Sequence, residues 1–201
     1  MQDVSANMDL AKITDFLHEV GMLKRTPRTG YQFLGTGSEN VAEHCYRTTV
    51  IGYILAKLAG ADLEKTVYLC LFHDVHESRV GDMNYVNRMY NHTRDRAALE
   101  DALQGTGLEE DILPLHDELE ANSTLEASLA EDADQLDLML NLKEQEDLGN
   151  KYATKWLECA LARLKTQIGK ELGSRILESD HTDWWFASQD KSWWIERKNK
   201  K

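Results

Sequence analysis

Residues 69–77 put four groups able to bind a metal or move a proton, His73, Asp74, His76 and Glu77, directly after the apolar run Leu69-Cys70-Leu71-Phe72. Polar groups at the end of a buried helix cost free energy unless something satisfies them, and a divalent cation would do so. Neighbours on a helix project about 100° apart, so His73 and Asp74 can share one ion only from a helix end that opens on a cavity. Further ligands would then come from elsewhere in the chain. On this stretch alone, a core histidine followed by a capping aspartate accounts for the pattern as readily.

Two more positions qualify as ligands. His44 falls on the stripe Val41, His44, Thr48, Ile51, Leu55 and Leu58, in steps of three and four, so it should face the core. Asp134 shares a stripe with Ala127, Ala130, Leu138 and Asn141, where the alanines allow another helix to come close. Asp132 and Asp137 compete with it, and periodicity excludes neither. Two imidazoles and two carboxylates suit a borderline or hard divalent ion and, in an octahedral field, leave two positions for water and a substrate oxygen.

The elements that must carry these groups read as helices. The chain has 201 residues, 42% apolar and 8% aromatic, which fits one globular domain with a substantial core. Two prolines and 12 glycines favour long helices over the turn-rich texture of a sandwich. The spacing predicts a first helix over 9–20, with Leu10, Ile13, Leu17 and Val20 inward. A second runs over 40–59 behind a capping box of Asn40 and Glu43, and a third, apolar and central, over 63–73 behind Asp62. Charge-rich segments at 93–103 and 109–120, the latter interrupted by Pro114, read as outer helices. Two more follow at 124–146, with Leu125, Leu129, Leu136 and Leu140 buried, and at 152–168, with Trp156, Leu157, Ala160, Leu161 and Leu164 inward. Residues 24–38 form a loop with Lys24, Arg25 and Arg28, and Gly81-Asp82-Met83-Asn84 a turn. The bundle is expected over 8–170. Residues 171–201 form an extension in which Trp184-Trp185-Phe186 and Trp193-Trp194-Ile195 pack on the bundle or on a dimer partner.

A net charge of −12 argues against non-specific binding to nucleic-acid polymers or acidic membranes. No apolar run reaches the length of a membrane span, and the first ten residues lack the pattern of a signal peptide. Cys45, Cys70 and Cys159 are dispersed within apolar stretches, as reduced core cysteines of a cytoplasmic protein would be.

The order His44, His73-Asp74, Asp134 resembles the HD-domain metal-dependent phosphohydrolases. Glu39-Asn40-Val41-Ala42-Glu43-His44, Phe72-His73-Asp74-Val75-His76-Glu77, Val80-Gly81-Asp82, Ala133-Asp134-Gln135-Leu136 and Leu23-Lys24-Arg25-Thr26-Pro27-Arg28-Thr29-Gly30-Tyr31 are similar to its 5'-deoxynucleotidase subfamily. The resemblance covers residues 10–146. It implies an all-α helical bundle with one divalent metal on His44, His73, Asp74 and Asp134, cobalt or manganese favoured and magnesium, zinc, iron or nickel as alternatives. A second ion near Glu77 and Asp82 is a further option.

The implied reaction is hydrolysis of a nucleoside 5'-monophosphate by a homodimer. Arg28 would hold the phosphate, Glu77 would assist proton transfer around the attacking water, and Asp82 would orient the substrate. Thr29, Tyr31, Met83 and Asn84 complete the expected substrate contacts. One departure stands out: members that prefer deoxyribose place a tryptophan directly after the arginine, whereas Thr29-Gly30-Tyr31 follows here, with Tyr31 as the expected aromatic wall. His92 and His116 fall where binuclear members carry extra histidines, but in polar surroundings that predict solvated side chains. Hydrolysis of nucleoside triphosphates or alarmones, and non-catalytic nucleotide or metal binding, are the competing readings.

Overall fold

Side-chain caps set most of the helix boundaries. In the computed structural model, which describes residues 8–186 and 195–196, Asp9, Asn40, Asp62, Asn84, Thr124, Asn150 and Thr166 each accept a backbone N–H from the first turn of the helix they precede. The helices are α1 (Leu10–Val20), α2 (Tyr31–Leu34), α3 (Val41–Ala59), α4 (Leu63–Phe72), α5 (Glu77–Val80), α6 (Tyr85–Tyr90), α7 (Asp95–Leu103), α8 (Glu109–Ala121), α9 (Leu125–Asp147), α10 (Lys151–Arg163), α11 (Gln167–Glu178) and α12 (Asp183–Phe186). No strand occurs among the described residues; one antiparallel bridge joins Pro27 to Asn40. The fold is all-α.

The axis of the molecule is α9 rather than α4. α3, α4, α8, α10 and α11 all pack against it, and Leu129, Leu136, Met139 and Leu142 are essentially sealed from solvent. Those four side chains contribute on the order of 6–12 kcal/mol of burial free energy. Gly52 lets α4 lie close against α3, because a Cβ there would collide with Cys70 Sγ. That close approach brings the middle of α3 near the C-terminal end of α4. A second apolar layer of Phe16, Val75, Leu99, Leu103 and Ile112 joins α1, α7 and α8 below the same end.

Several boundaries and faces differ from the expected ones. In α1 the residue that enters the core is Phe16, whereas Leu10 and Leu17 are 77% and 64% exposed. Leu58 and Leu125 also point outward. The helix expected over 152–168 breaks at Leu164, whose backbone is extended, because buried Asp132 takes the N–H groups of Lys165 and Thr166. The chain restarts as α11, which puts Ile176 in the core, so a domain boundary at 170 would cut this helix. α8 continues through Pro114, and the hydrogen bond it forfeits would have used the carbonyl of Glu110 in the exposed first turn. Trp184 is exposed, while Trp193 and Trp194 lie outside the described residues.

Candidate active site

Three helices deliver the four expected ligands to one point. His44 projects from the first turns of α3, His73 caps the end of α4 with Asp74 directly after it, and Asp134 comes from the middle of α9. His44 Nε2 lies 3.2 Å from His73 Nε2, 3.1 Å from Asp134 Oδ1 and 3.6 Å from Asp74 Oδ2. His73 Nε2 lies 3.1 Å from Asp74 Oδ2. Metal–ligand bonds of about 2.1 Å require ligand atoms roughly 3.0 Å apart at an octahedral centre and roughly 3.4 Å at a tetrahedral one. These four spacings match or approach the edges of a coordination shell, and donor atoms of His44, His73 and Asp134 all lie within 4.8 Å of one another.

The outer nitrogens decide what the inner ones offer. His44 Nδ1 is 2.6 Å from Asp137 Oδ2, and His73 Nδ1 is 2.8 Å from the Cys70 carbonyl oxygen. Each partner accepts the Nδ1 proton, which leaves both Nε2 lone pairs facing the same point; such an arrangement is repulsive unless a proton or a cation lies between them. Burial and nearby Arg28 work against a charge on His44, yet the carboxylates of Asp134 and Asp137 hold its pKa up at about 10. Burial likewise opposes the charge on His73, and Asp74 overrides it, raising that group well above its ordinary value. Against the cost of their own burial, Asp74 and Asp134 are held well below the usual carboxylate range, Asp74 by His73 and Asp134 by His44. The donor set fits a divalent cation that displaces these shared protons.

The loop before α3 brings Arg28 to this point. Arg28 N–H donates to the Glu39 carbonyl and Val41 N–H to that of Thr26, clamping the loop to the start of α3. The guanidinium then lies 3.4 Å from Asp74 Oδ2, 3.4 Å from Asp82 Oδ1 and 3.6 Å from Asp134 Oδ1. Asp82 is turned toward it by Gly81, whose φ of 75° and ψ of 157° suit glycine alone. Asp82 also accepts from Thr29 N–H at 2.5 Å, which ties the two loops together.

Glu77 is buried, and its Oε2 finds no hydrogen-bond partner. Burial, then the charges of Asp74 and Asp82, push its pKa up to about 9. Donor atoms of Asp74, His76 and Glu77 lie within 4.8 Å of one another, a group that does not include Asp82.

Tyr31, Met83 and Asn84 line a cavity of about 230 Å³ that runs from Arg28, Asp74 and Asp134 to Trp156. The side-chain oxygen of Asn84 caps α6. The expected solvated histidines divide: His92 is exposed, but His116 is buried, its ring edge-on to His76 at a centroid distance of 5.7 Å. Cys45 and Cys70 are buried as expected, but Cys159 is exposed. Asp132 and Asp137 both have other partners. Asp132 holds the start of α11, and Asp137 orients His44 while also accepting from Arg47 and Asn141. The role of Asp137 could have been read from the helical spacing 134, 137, 141. Trp156 also lines the cavity, and its local sequence pattern predicts only an inward face.

An all-helical bundle that gathers histidine, histidine-aspartate and aspartate in this order defines a class. The HD domain family profile matches residues 20–175, and the chain belongs to that family. It is similar to the 5'-deoxynucleotidase HDDC2 of Bos taurus, with 34% identity over 69% of this chain and 70% of that one. The 5'-deoxynucleotidase HDDC2 of Homo sapiens is 32% identical over 69% of this chain and 71% of its own. Among solved structures, a conserved hypothetical protein from Pyrococcus furiosus superposes with a TM-score of 0.70 at 30% identity, covering 82% of this chain and 97% of that one.

Proposed function

We propose that this protein is a metal-dependent phosphomonoesterase that removes the 5'-phosphate from deoxynucleoside monophosphates. The observation that carries the reading is the convergence of two Nε2 atoms and two carboxylates beside Arg28, at the mouth of a cavity with aromatic walls. The relatives named 5'-deoxynucleotidase support the substrate class. A divalent cation held by His44, His73, Asp74 and Asp134, with cobalt or manganese suited to the mixed nitrogen and oxygen donors, would polarise the phosphate and lower the pKa of a water.

The chain supplies the rest. Arg28 matches the geometry of a phosphate through its guanidinium fork, and Asp82 with Thr29 holds that fork in place. Glu77, one turn beyond Asp74 and without a partner on Oε2, takes and returns protons. A second ion, where one binds, has Asp74, His76 and Glu77 to hold it. The outer face of α3, with Tyr46, Val50, Tyr53, Ile54 and Leu58 all exposed, is the surface for the expected homodimer. The free cysteines Cys45, Cys70 and Cys159 suit a cytoplasmic setting.

A phosphate-release panel of ribo- and deoxyribonucleoside monophosphates with cobalt, manganese and magnesium tests the reading. Release from the deoxy series, abolished by chelation and by His73→Ala, is expected; activity surviving both would refute it. A second cleft, of about 440 Å³, shares Asp74, Asp134, Arg88 and Arg163 with the first and adds Lys165 together with the carboxylates of Asp95, Glu120 and Glu131. It favours, as the second reading, a substrate with more phosphates, and tripolyphosphate or pyrophosphate among the products would identify it.

A further inference from the structure

The cavity is lined both by the charged Arg28, Asp74, Asp82 and Asp134 and by the aromatic Tyr31, Tyr85 and Trp156. The loop of Arg28 and the ring of Trp156 meet at Gly30. Its φ of −55° and ψ of −32° are open to any residue, so its backbone does not demand glycine. What restricts the position is Trp156: a Cβ on Gly30 would stand 3.2 Å from Cη2 of the indole. The ring of Trp156 is thus seated on the backbone of the loop that carries Arg28, two residues away and therefore at most about 7 Å along the chain. Arg28 and Trp156 also line the same cavity, so a ligand whose phosphate meets the guanidinium has an aromatic ring within the same enclosure.

The indole is also held in place. Phe33 meets it edge-on at 6.2 Å and Tyr85 at 5.9 Å between ring centroids. Tyr85 is fixed in turn by Arg163, whose guanidinium lies 4.3 Å from the centre of its ring and whose NH1 donates to its hydroxyl. A cage of this kind is costly in half-exposed aromatic surface unless a flat apolar group fills it.

We infer that Trp156, seated on Gly30 and braced by Tyr85, is the stacking platform for the nucleobase of the substrate. The inference rests on the phosphomonoesterase reading and adds to it the group that recognises the non-reacting end of the substrate. Stacking on an aromatic ring is sequence-tolerant because every base has a π-face, so a platform without a base-edge code accepts more than one base. Contact that is the same in the ground state and the transition state changes KM and leaves kcat alone.

Two measurements on the full chain test this. In the first, KM and kcat are determined for deoxyadenosine 5'-monophosphate and for the baseless 2-deoxyribose 5-phosphate. Trp156→Ala should raise KM for the nucleotide by about 10- to 100-fold, the effect of losing one base–aromatic stack, with kcat within about twofold and the baseless substrate unaffected. Trp156→Phe should recover most of the loss. Gly30→Ala, which moves the indole without removing it, should act in the same direction but more weakly. In the second, binding of deoxyadenosine alone is followed by calorimetry, and Trp156→Ala should abolish it.

Equal effects of Trp156→Ala on both substrates, or none on either, would overturn the inference while leaving the phosphatase reading intact. Trp156-dependent nucleoside binding in a protein that releases no phosphate would support the platform and overturn the phosphatase reading. A variant that unfolds is detected by its melting curve, and Trp156→Phe with Gly30→Ala then decides the matter.

Discussion

Replacing Asp137 by asparagine tests how the site is positioned without touching a ligand. Asp137 and His44 have fully buried side chains, and Oδ2 lies 2.6 Å from Nδ1. The amide keeps the size of the carboxylate and can still accept the Nδ1 proton, but it no longer carries the charge that makes Nε2 a better donor to a cation. A hydrogen bond involving a charged partner contributes about 1.5–3 kcal/mol, against about 1 kcal/mol for a neutral one. The difference, roughly 0.5–2 kcal/mol, corresponds to about 2- to 30-fold in an equilibrium constant, overlapping the lower part of the 10- to 100-fold typical of lost outer-shell carboxylates. Arg47, the other ion partner of Asp137, is part-exposed and can turn to water.

Metal-stripped Asp137→Asn should therefore need about tenfold more manganese for half-maximal phosphate release, and saturating metal should restore kcat to within a few-fold of the parent. Calorimetric titration of manganese into the same samples measures the affinity without turnover. A variant that binds manganese as tightly as the parent would refute the claim that Asp137 acts through His44. So would one whose activity stays low at every metal concentration while its affinity is unchanged.

Asp132→Ala removes the acceptor of Lys165 N–H, Thr166 N–H and the Thr166 hydroxyl at a position 1% exposed, about 200° around α9 from Asp134. Three orphaned donors should cost about 3 kcal/mol, lowering Tm by roughly 6–12 °C in a chain of this size, with manganese affinity unchanged. The stability of the metal-free protein should fall as pH rises from 7 towards 10. His44, raised from 6.5 to about 10, contributes stability that is complete below about 6.5 and lost on the way to its folded value, and Glu77, raised to about 9, loses its contribution in the same direction. Manganese should therefore raise Tm more at pH 9 than at pH 6.5, since binding displaces those protons; thermal melts with and without metal give the answer, and equal shifts at the two pH values would count against it.

The parts of the fold that follow from local chemistry were legible before any coordinates. Asn40 and Glu43 form the capping box expected of them, and Gly60 ends α3 in a left-handed conformation with a φ of 67°. His44, His73, Asp74 and Asp134 stand together because each occupied an inward stripe or the end of one. What could not be read depended on partners distant in sequence. The break between α10 and α11 is made by Asp132, 33 residues upstream of the first N–H it accepts, and no periodicity within 152–168 reports it. The exposed faces of Leu10, Leu17 and Leu58 have the same cause: an apolar stripe states that a helix is amphipathic, and only the neighbouring helices decide which edge of the stripe is covered. His116 looked solvated among acidic residues, yet α8 lays it against His76.

Arg28 explains how so acidic a site can greet an anion. In a chain of net charge −12, its guanidinium is shared among Asp74, Asp82 and Asp134, at 3.4–3.6 Å from each. Burial alone would weaken its charge, but Asp134, Asp74 and Asp82 hold it firmly protonated. Two of those three carboxylates, Asp74 and Asp134, would also hold the proposed cation. With a cation on them, Arg28 would keep only Asp82 as an ion partner within 4 Å, and Thr29 already engages Asp82 through its N–H. The fork, still held by Asp82, would then face a phosphate that the bare carboxylates would have repelled. Electrostatics would thus order the site: without a cation Asp74 and Asp134 hold the arginine, and a cation taking up those two carboxylates would leave its charge to the substrate.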